Sequence, residues 1–250
     1  MEVQVAPSWD PIEADLLYER THMGRRAIVW DMDGVLVDSS VAQNASWVAM
    51  AREYGVPYDP EKDFLRIFGL HNTEIMRSQW GITDPEKVEL MIQSKETHFR
   101  RSAIHLKPLP GVVELVSALA RAGWKQAVGS SAPLENVRLL LEVMGLSRYM
   151  QAIASGDDVI HGKPDPEVFL LALRRLGVDP ADAVVIEDAP VGVMAAKRAG
   201  AACLGVTSTR PADALWAAGA DRVVGSLEGL TVRDLEHVIR SSAFEAKGPK

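Results

Sequence analysis

The feature that most constrains the fold is a rhythm. From residue 112 to residue 241, short apolar runs alternate with helical stretches, and glycine closes most of the helices. Helical patterns cover 112–122, 134–144, 166–176 and 191–199, and stop at Gly123, Gly145, Gly177 and Gly200. Further helices follow Pro211 and Ser226. Between them lie the apolar runs 126–129, 152–154, 183–186, 202–206 and 221–224, short enough to be buried strands. Strand–helix alternation predicts a parallel sheet covered on both faces, with right-handed crossovers. In such a sheet, ligands gather beyond the carboxyl ends of the strands.

Upstream the pattern changes. Between residues 39 and 106 apolar residues recur at helical spacing. Trp47, Met50 and Ala51 share one face, which Gly55-Val56-Pro57 ends. Phe64, Ile67 and Phe68 mark a second, short helix. A third, capped by Asn72 or Thr73, runs to Trp80. Asp84 and Pro85 cap and open a fourth, through Val88, Met91 and Ile92. Lys107-Pro108-Leu109-Pro110-Gly111 is the clearest linker. The predicted organisation is an α/β Rossmann-like core over 25–38 and 107–241, with an all-helical insert over 39–106. An extension over 1–24 precedes it and a tail over 242–250 follows. Within the extension, Ile12, Leu16 and Leu17 suit either one amphipathic turn or a disordered segment.

The first strand, Ala27-Ile28-Val29-Trp30, runs into Asp31-Met32-Asp33-Gly34. Residues i and i+2 of an extended chain point the same way. The two carboxylates therefore converge where a buried strand opens to solvent, and their repulsion favours a cation beside them. Oxygen-only donors suit a hard ion such as Mg²⁺. The pair offers a nucleophile and a proton shuttle together. A plain strand-end turn would use the same residue types.

Three more groups fall at strand ends. Gly129-Ser130-Ser131 presents a hydroxyl able to donate to a phosphoryl oxygen, although a serine here also serves as a helix cap. Gly162-Lys163-Pro164-Asp165-Pro166 aims a lysine from a stiff loop, with Asp165 and Pro166 as cap and first residue of the next helix. Such a lysine suits an electrostatic role, while an isolated one is more often solvated. Ile186-Glu187-Asp188 ends a strand in two carboxylates, where capping accounts for only one.

In order and position these segments resemble the four motifs of the haloacid dehalogenase superfamily, the first in the form of its phosphatase branch. The resemblance implies Asp31 as a nucleophile phosphorylated during turnover and Asp33 as general acid, then general base. It implies Ser130 and Lys163 as partners of the phosphoryl oxygens, with Ser131 beside the substrate. It places Asp31, Asp33 and Asp188 around Mg²⁺, with Glu187 as a further or supporting ligand. The helical insert is similar to the cap of β-phosphoglucomutase-like and phosphoglycolate phosphatase-like members. That implies a lid over the Asp31 site, hinged near 38–41 and 106–111.

The resemblance implies a Mg²⁺-dependent phosphatase acting on a small phosphorylated metabolite. The alternative is a sugar phosphomutase. Mutases of this branch carry a histidine where Trp47, taken as the shared tryptophan, places Gln43, and a gripping arginine where Asn72 falls. Both departures argue against that chemistry; His71 is the residue left to replace the grip. Asp33 argues against a dehalogenase, which lacks a second aspartate. A catalytically idle binding module is the remaining reading, opposed by the intact set of chemical groups.

Composition limits partners. The net charge of −7 and the lack of a long basic run exclude nucleic acid. No apolar run reaches the ~20 residues of a membrane helix. The N-terminal segment lacks the basic start and apolar middle of a signal peptide, so the cytoplasm is expected. The single cysteine, Cys203, forms no intrachain disulfide and reads as a buried structural thiol. A monomer or weak dimer is expected. Trp80, Trp124 and Trp216 read as packing residues.

Overall fold

A computed structural model describes residues 26–68 and 70–245. Ile12, Leu16 and Leu17 lie outside the described residues.

The core is a six-stranded sheet, all of whose pairings are parallel. Its strands are β1 (Ala27–Trp30), β2 (Lys125–Gly129), β3 (Ala152–Ala154), β4 (Ala183–Glu187), β5 (Ala202–Val206) and β6 (Arg222–Val224), in the order β3-β2-β1-β4-β5-β6. The order reverses at β1, so the crevice that such a sheet offers to ligands opens at its carboxyl end.

Alternation along the strands builds the two layers. Ile28, Trp30, Val128, Val184, Ile186 and Leu204 point to one face, against α5 (Val112–Arg121), α6 (Leu134–Val143) and α10 (Val232–Glu245). Ala27, Val29, Ala127, Val185 and Cys203 point to the other. There they meet α7 (Glu167–Leu176), α8 (Pro190–Arg198) and, through Leu215, α9 (Ala212–Ala217). Burial raises the Cys203 thiol's pKa and keeps it protonated, as a structural thiol requires.

The insert after β1 is helical, as read from its spacing: α1 (Ser40–Tyr54), α2 (Phe64–Ile67), α3 (Asn72–Trp80) and α4 (Pro85–Ala103). It has an apolar cluster of its own, made of Trp47, Met50, Phe64, Ile67, Phe68, Ile75, Met76 and Met91. Asp84 caps α4 by accepting from the Lys87 amide at 2.8 Å, with Pro85 at the first position. The two connections to the core run side by side. The Leu109 amide donates to the Leu36 carbonyl at 3.0 Å, and Val37 forms a bridge with Pro108.

Four expectations need correcting. His71, not Asn72 or Thr73, occupies the cap position of α3. Pro166 stands at the cap of α7, with Asp165 accepting from the Glu167 amide at 3.0 Å. The last helix begins at Val232 and continues through Glu245, so a boundary after 241 falls inside it. Trp216 is 51% exposed and does not pack as a core residue, whereas Trp124 is buried. Among the described residues no helix is long and apolar enough to cross a membrane.

Candidate active site

Four of the singled-out side chains meet at the carboxyl ends of β1 and β4. Asp31 follows β1 directly, its amide donating to the Ile186 carbonyl at 3.0 Å. Lys163 reaches in from the loop after β3. Its ammonium donates to Asp31 Oδ1 at 2.5 Å and to Glu187 Oε1 at 2.7 Å. The other oxygen of Glu187 accepts from the amides of Asp188 and Ala189, each at 2.9 Å, at the start of α8. Both oxygens of Glu187 are thus engaged. The carboxylate grouped with the metal ligands from sequence thus also holds the Lys163 ammonium.

Asp188 packs against the turn that follows Asp33 and accepts from the Thr209 hydroxyl. That turn is tight. The Gly34 amide donates to the Val37 carbonyl at 2.8 Å, and Gly34 adopts a φ of +86°. Asp33 is half-buried and accepts from Ser39 Oγ and, at 3.3 Å, from Gln43 Nε2.

Charge dominates this site. Asp31, Glu187, Asp188 and Lys163 are all buried. Burial pushes the Asp31 carboxyl up, and Glu187 and Asp33 add to that against the pull of Lys163, leaving it at about 8. Burial raises Asp188 well above the usual carboxylate range, reinforced by Glu187 and Asp31. Burial works against a charged Lys163, but Asp31 and Glu187 overrule it and raise its pKa. Three carboxylates against one ammonium leave two negative charges uncompensated when all are ionised. Among the described residues no three acidic, His or Cys side chains close into a ready cation cage. The donor chemistry and the charge deficit nevertheless fit a divalent, oxygen-preferring ion.

Ser130 is buried at the end of β2, and its Oγ accepts from the Ala132 amide at 3.1 Å. That bond closes a local turn rather than capping α6, whose cap position is Pro133, and it leaves the hydroxyl proton free to donate elsewhere. Gln43, Asn72 and Ser131 share one cavity with Asp33. His71 lies outside it, in the neighbouring groove with Lys163. Its Nε2 is 3.1 Å from the Gly156 carbonyl and its Nδ1 2.7 Å from Thr73 Oγ1, so it bridges insert and core.

Sequence reading missed Thr209, Lys95, Glu96 and Asn136. For Lys95 a signal was present. It stands four residues from Met91 and four from Phe99, on the buried stripe of α4, where a charge needs a partner.

The chain matches the family model of haloacid dehalogenase-like hydrolases over residues 28–206. It is 32% identical over 195 residues to validoxylamine A 7'-phosphate phosphatase of Streptomyces hygroscopicus subsp. limoneus, covering 76% of this chain and 89% of that one. It is 31% identical over 217 residues to β-phosphoglucomutase of Bacillus subtilis, covering 83% and 92%. Among solved structures it resembles CbbY from Rhodobacter sphaeroides in complex with phosphate, with a TM-score of 0.75, 28% identity, and 84% and 99% of the two chains covered. A matched family model over most of the chain, on a fold with these motifs at its strand ends, places this protein among the haloacid dehalogenase-like hydrolases, in their β-phosphoglucomutase-like branch.

Proposed function

We propose that the enzyme is a Mg²⁺-dependent phosphatase that hydrolyses the monoester of a small phosphorylated carbohydrate through a phosphorylated Asp31. The observation that carries this reading is the Lys163–Asp31 contact at 2.5 Å, with the half-buried Asp33 close enough to act on the Asp31 carboxyl. It supports a carboxylate held in one orientation with a second one placed for proton transfer.

In the first step an Asp31 oxygen attacks phosphorus. The new O–P bond forms as the ester P–O bond breaks, and protonated Asp33 gives its proton to the departing alkoxide. In the second step Asp33, now ionised, takes a proton from water as that water attacks the phosphorus of the aspartyl phosphate. Inorganic phosphate leaves and Asp31 is regenerated. Lys163 places positive charge where the phosphoryl oxygens gather, and the Ser130 hydroxyl donates to one of them. Mg²⁺ held by Asp31 and Asp188, beside Asp33, would supply further positive charge against those oxygens. Residues 39–106 act as the cap that excludes water once substrate is bound.

Gln43 and Asn72 stand where a mutase needs its histidine and arginine, which supports hydrolysis over transfer. Phosphate release from a panel of sugar and sugar-alcohol phosphates, with Mg²⁺ and with excess chelator, tests the proposal. Turnover that needs the metal and is lost in Asp31→Asn, with an unchanged circular dichroism spectrum, is expected. Full activity in chelator or in Asp31→Asn would overturn it.

A further inference from the structure

The cavity above Asp33 has a wall that the phosphatase chemistry leaves unused. Lys95 and Glu96, adjacent on α4, are each 3% exposed. The Lys95 ammonium donates to Glu96 Oε1 at 2.9 Å and to Gln43 Oε1 at 2.6 Å. It also lies over the rings of Trp47 and Phe99, at 5.0 and 5.3 Å from their centroids. Glu96 accepts from Asn72 Nδ2 at 2.8 Å and, through its other oxygen, from Asn136. Burial opposes its charge, but Lys95 and the two amides hold its pKa below the usual value. Glu96 is thus tied to Lys95 on its own helix and to Asn72 and Asn136 from two other elements.

The charged groups lining this cavity are Asp33, Lys95 and Glu96, and Gln43, Asn72 and Ser131 add polar groups. A second phosphate on a substrate would need a cation free to meet it. The one ammonium here is already neutralised by Glu96 within its own helix turn. Such a wall, with a buried carboxylate and no uncommitted cation among its lining residues, disfavours a distal anion. It suits hydroxyl groups, which donate to Glu96 and accept from Lys95 or Asn72.

We infer that the Lys95–Glu96 pair is a specificity determinant, selecting substrates with one phosphate and a neutral, hydroxylated remainder over those with a second anionic group. This rests on the phosphatase reading above and narrows its substrate class.

The test compares kcat/KM for pentose, hexose and hexitol monophosphates against their bisphosphates, with acetyl phosphate as a donor too small to reach the pair. The wild type should prefer monophosphates, and Glu96→Gln, which frees Lys95, should shrink that preference about tenfold through KM while acetyl phosphate turnover changes no more than about twofold. Lys95→Met keeps the stem over the two rings and removes the cation. It should weaken monophosphate binding without improving any bisphosphate, so the inference does not depend on one variant folding. A wild type that takes bisphosphates as readily as monophosphates, or a Glu96→Gln ratio that does not move, overturns this inference alone. A wild type inert toward every donor, acetyl phosphate included, overturns the reading of Asp31 and this inference with it.

Discussion

Gly192 is small because Glu187 needs the space. A Cβ at 192 would stand 1.7 Å from Glu187 Oε1, the oxygen that holds Lys163. Gly34 does the same for the other acid. Its Cβ would stand 2.1 Å from Asp188 Oδ2, and its φ of +86° disfavours any side chain. The two glycines guard different parts of the site, so their replacements should differ in kind. Gly192→Ala should lower kcat at saturating Mg²⁺ by pushing Glu187 off Lys163, and should cost about 1–3 kcal/mol of stability from overpacking. Gly34→Ala should instead raise the Mg²⁺ concentration needed for half-maximal rate, because it displaces Asp188. A Mg²⁺ titration of both variants separates the effects; identical curves would contradict these assignments. Asp33→Asn should slow turnover of alkyl phosphates by roughly 10²–10⁴-fold, the usual worth of general acid–base catalysis. An aryl phosphate, whose leaving group needs little protonation, should be spared in the first step.

At the scale of elements, a reciprocal cap starts α10. The Thr231 amide donates to Asp234 Oδ2 at 2.9 Å and the Asp234 amide to Thr231 Oγ1 at 3.3 Å, while Arg222 donates to Asp234 Oδ1 at 2.9 Å. Bonding to Thr231, then Arg222, lowers the Asp234 carboxyl from 3.8 to about 2. A depressed pKa contributes stability above the unfolded value and loses it as pH falls through the folded one. The stability gap between wild type and Asp234→Asn should therefore be full above about pH 5 and shrink toward pH 2. Urea midpoints at pH 6, 4 and 2.5 would show it, and a constant gap would contradict it. The same cap explains where the helix expected after Ser226 begins. Leu227 is buried, and Leu230 packs partly buried against the sheet, so their spacing imitates a helix starting after Ser226. Yet Ser226 Oγ accepts from the Glu228 amide in a turn, and the helix waits for Thr231. The strands were legible because each alternates cleanly between two apolar layers. Strand ends carrying Asp31, Ser130, Glu187 and Asp188 were legible for the same reason.

At the scale of the molecule, the insert and the core meet across the site through polar contacts that no local pattern encodes. Arg100 reaches Glu135 at 3.1 Å and Asn136 Oδ1 at 3.2 Å, Glu96 accepts from Asn136, and Arg210 donates to the Leu65 carbonyl at 2.5 Å. Each joins residues far apart in the chain, which is why Asn136 and Glu96 escaped a reading built on periodicity. His71 illustrates the limit from the other side: the resemblance offers it as a substitute for the gripping arginine, but its ring meets the Gly156 carbonyl across the cleft and it does not line the cavity with Asp33. The central claim is that this assembly phosphorylates Asp31. Borohydride quenching during steady-state turnover reduces an aspartyl phosphate to homoserine, which peptide mass spectrometry locates. Homoserine at position 31, absent without substrate and accumulating further in Asp33→Asn with an aryl phosphate, is the expected result. Continued turnover with residue 31 unmodified, or homoserine at another carboxylate, would contradict the account.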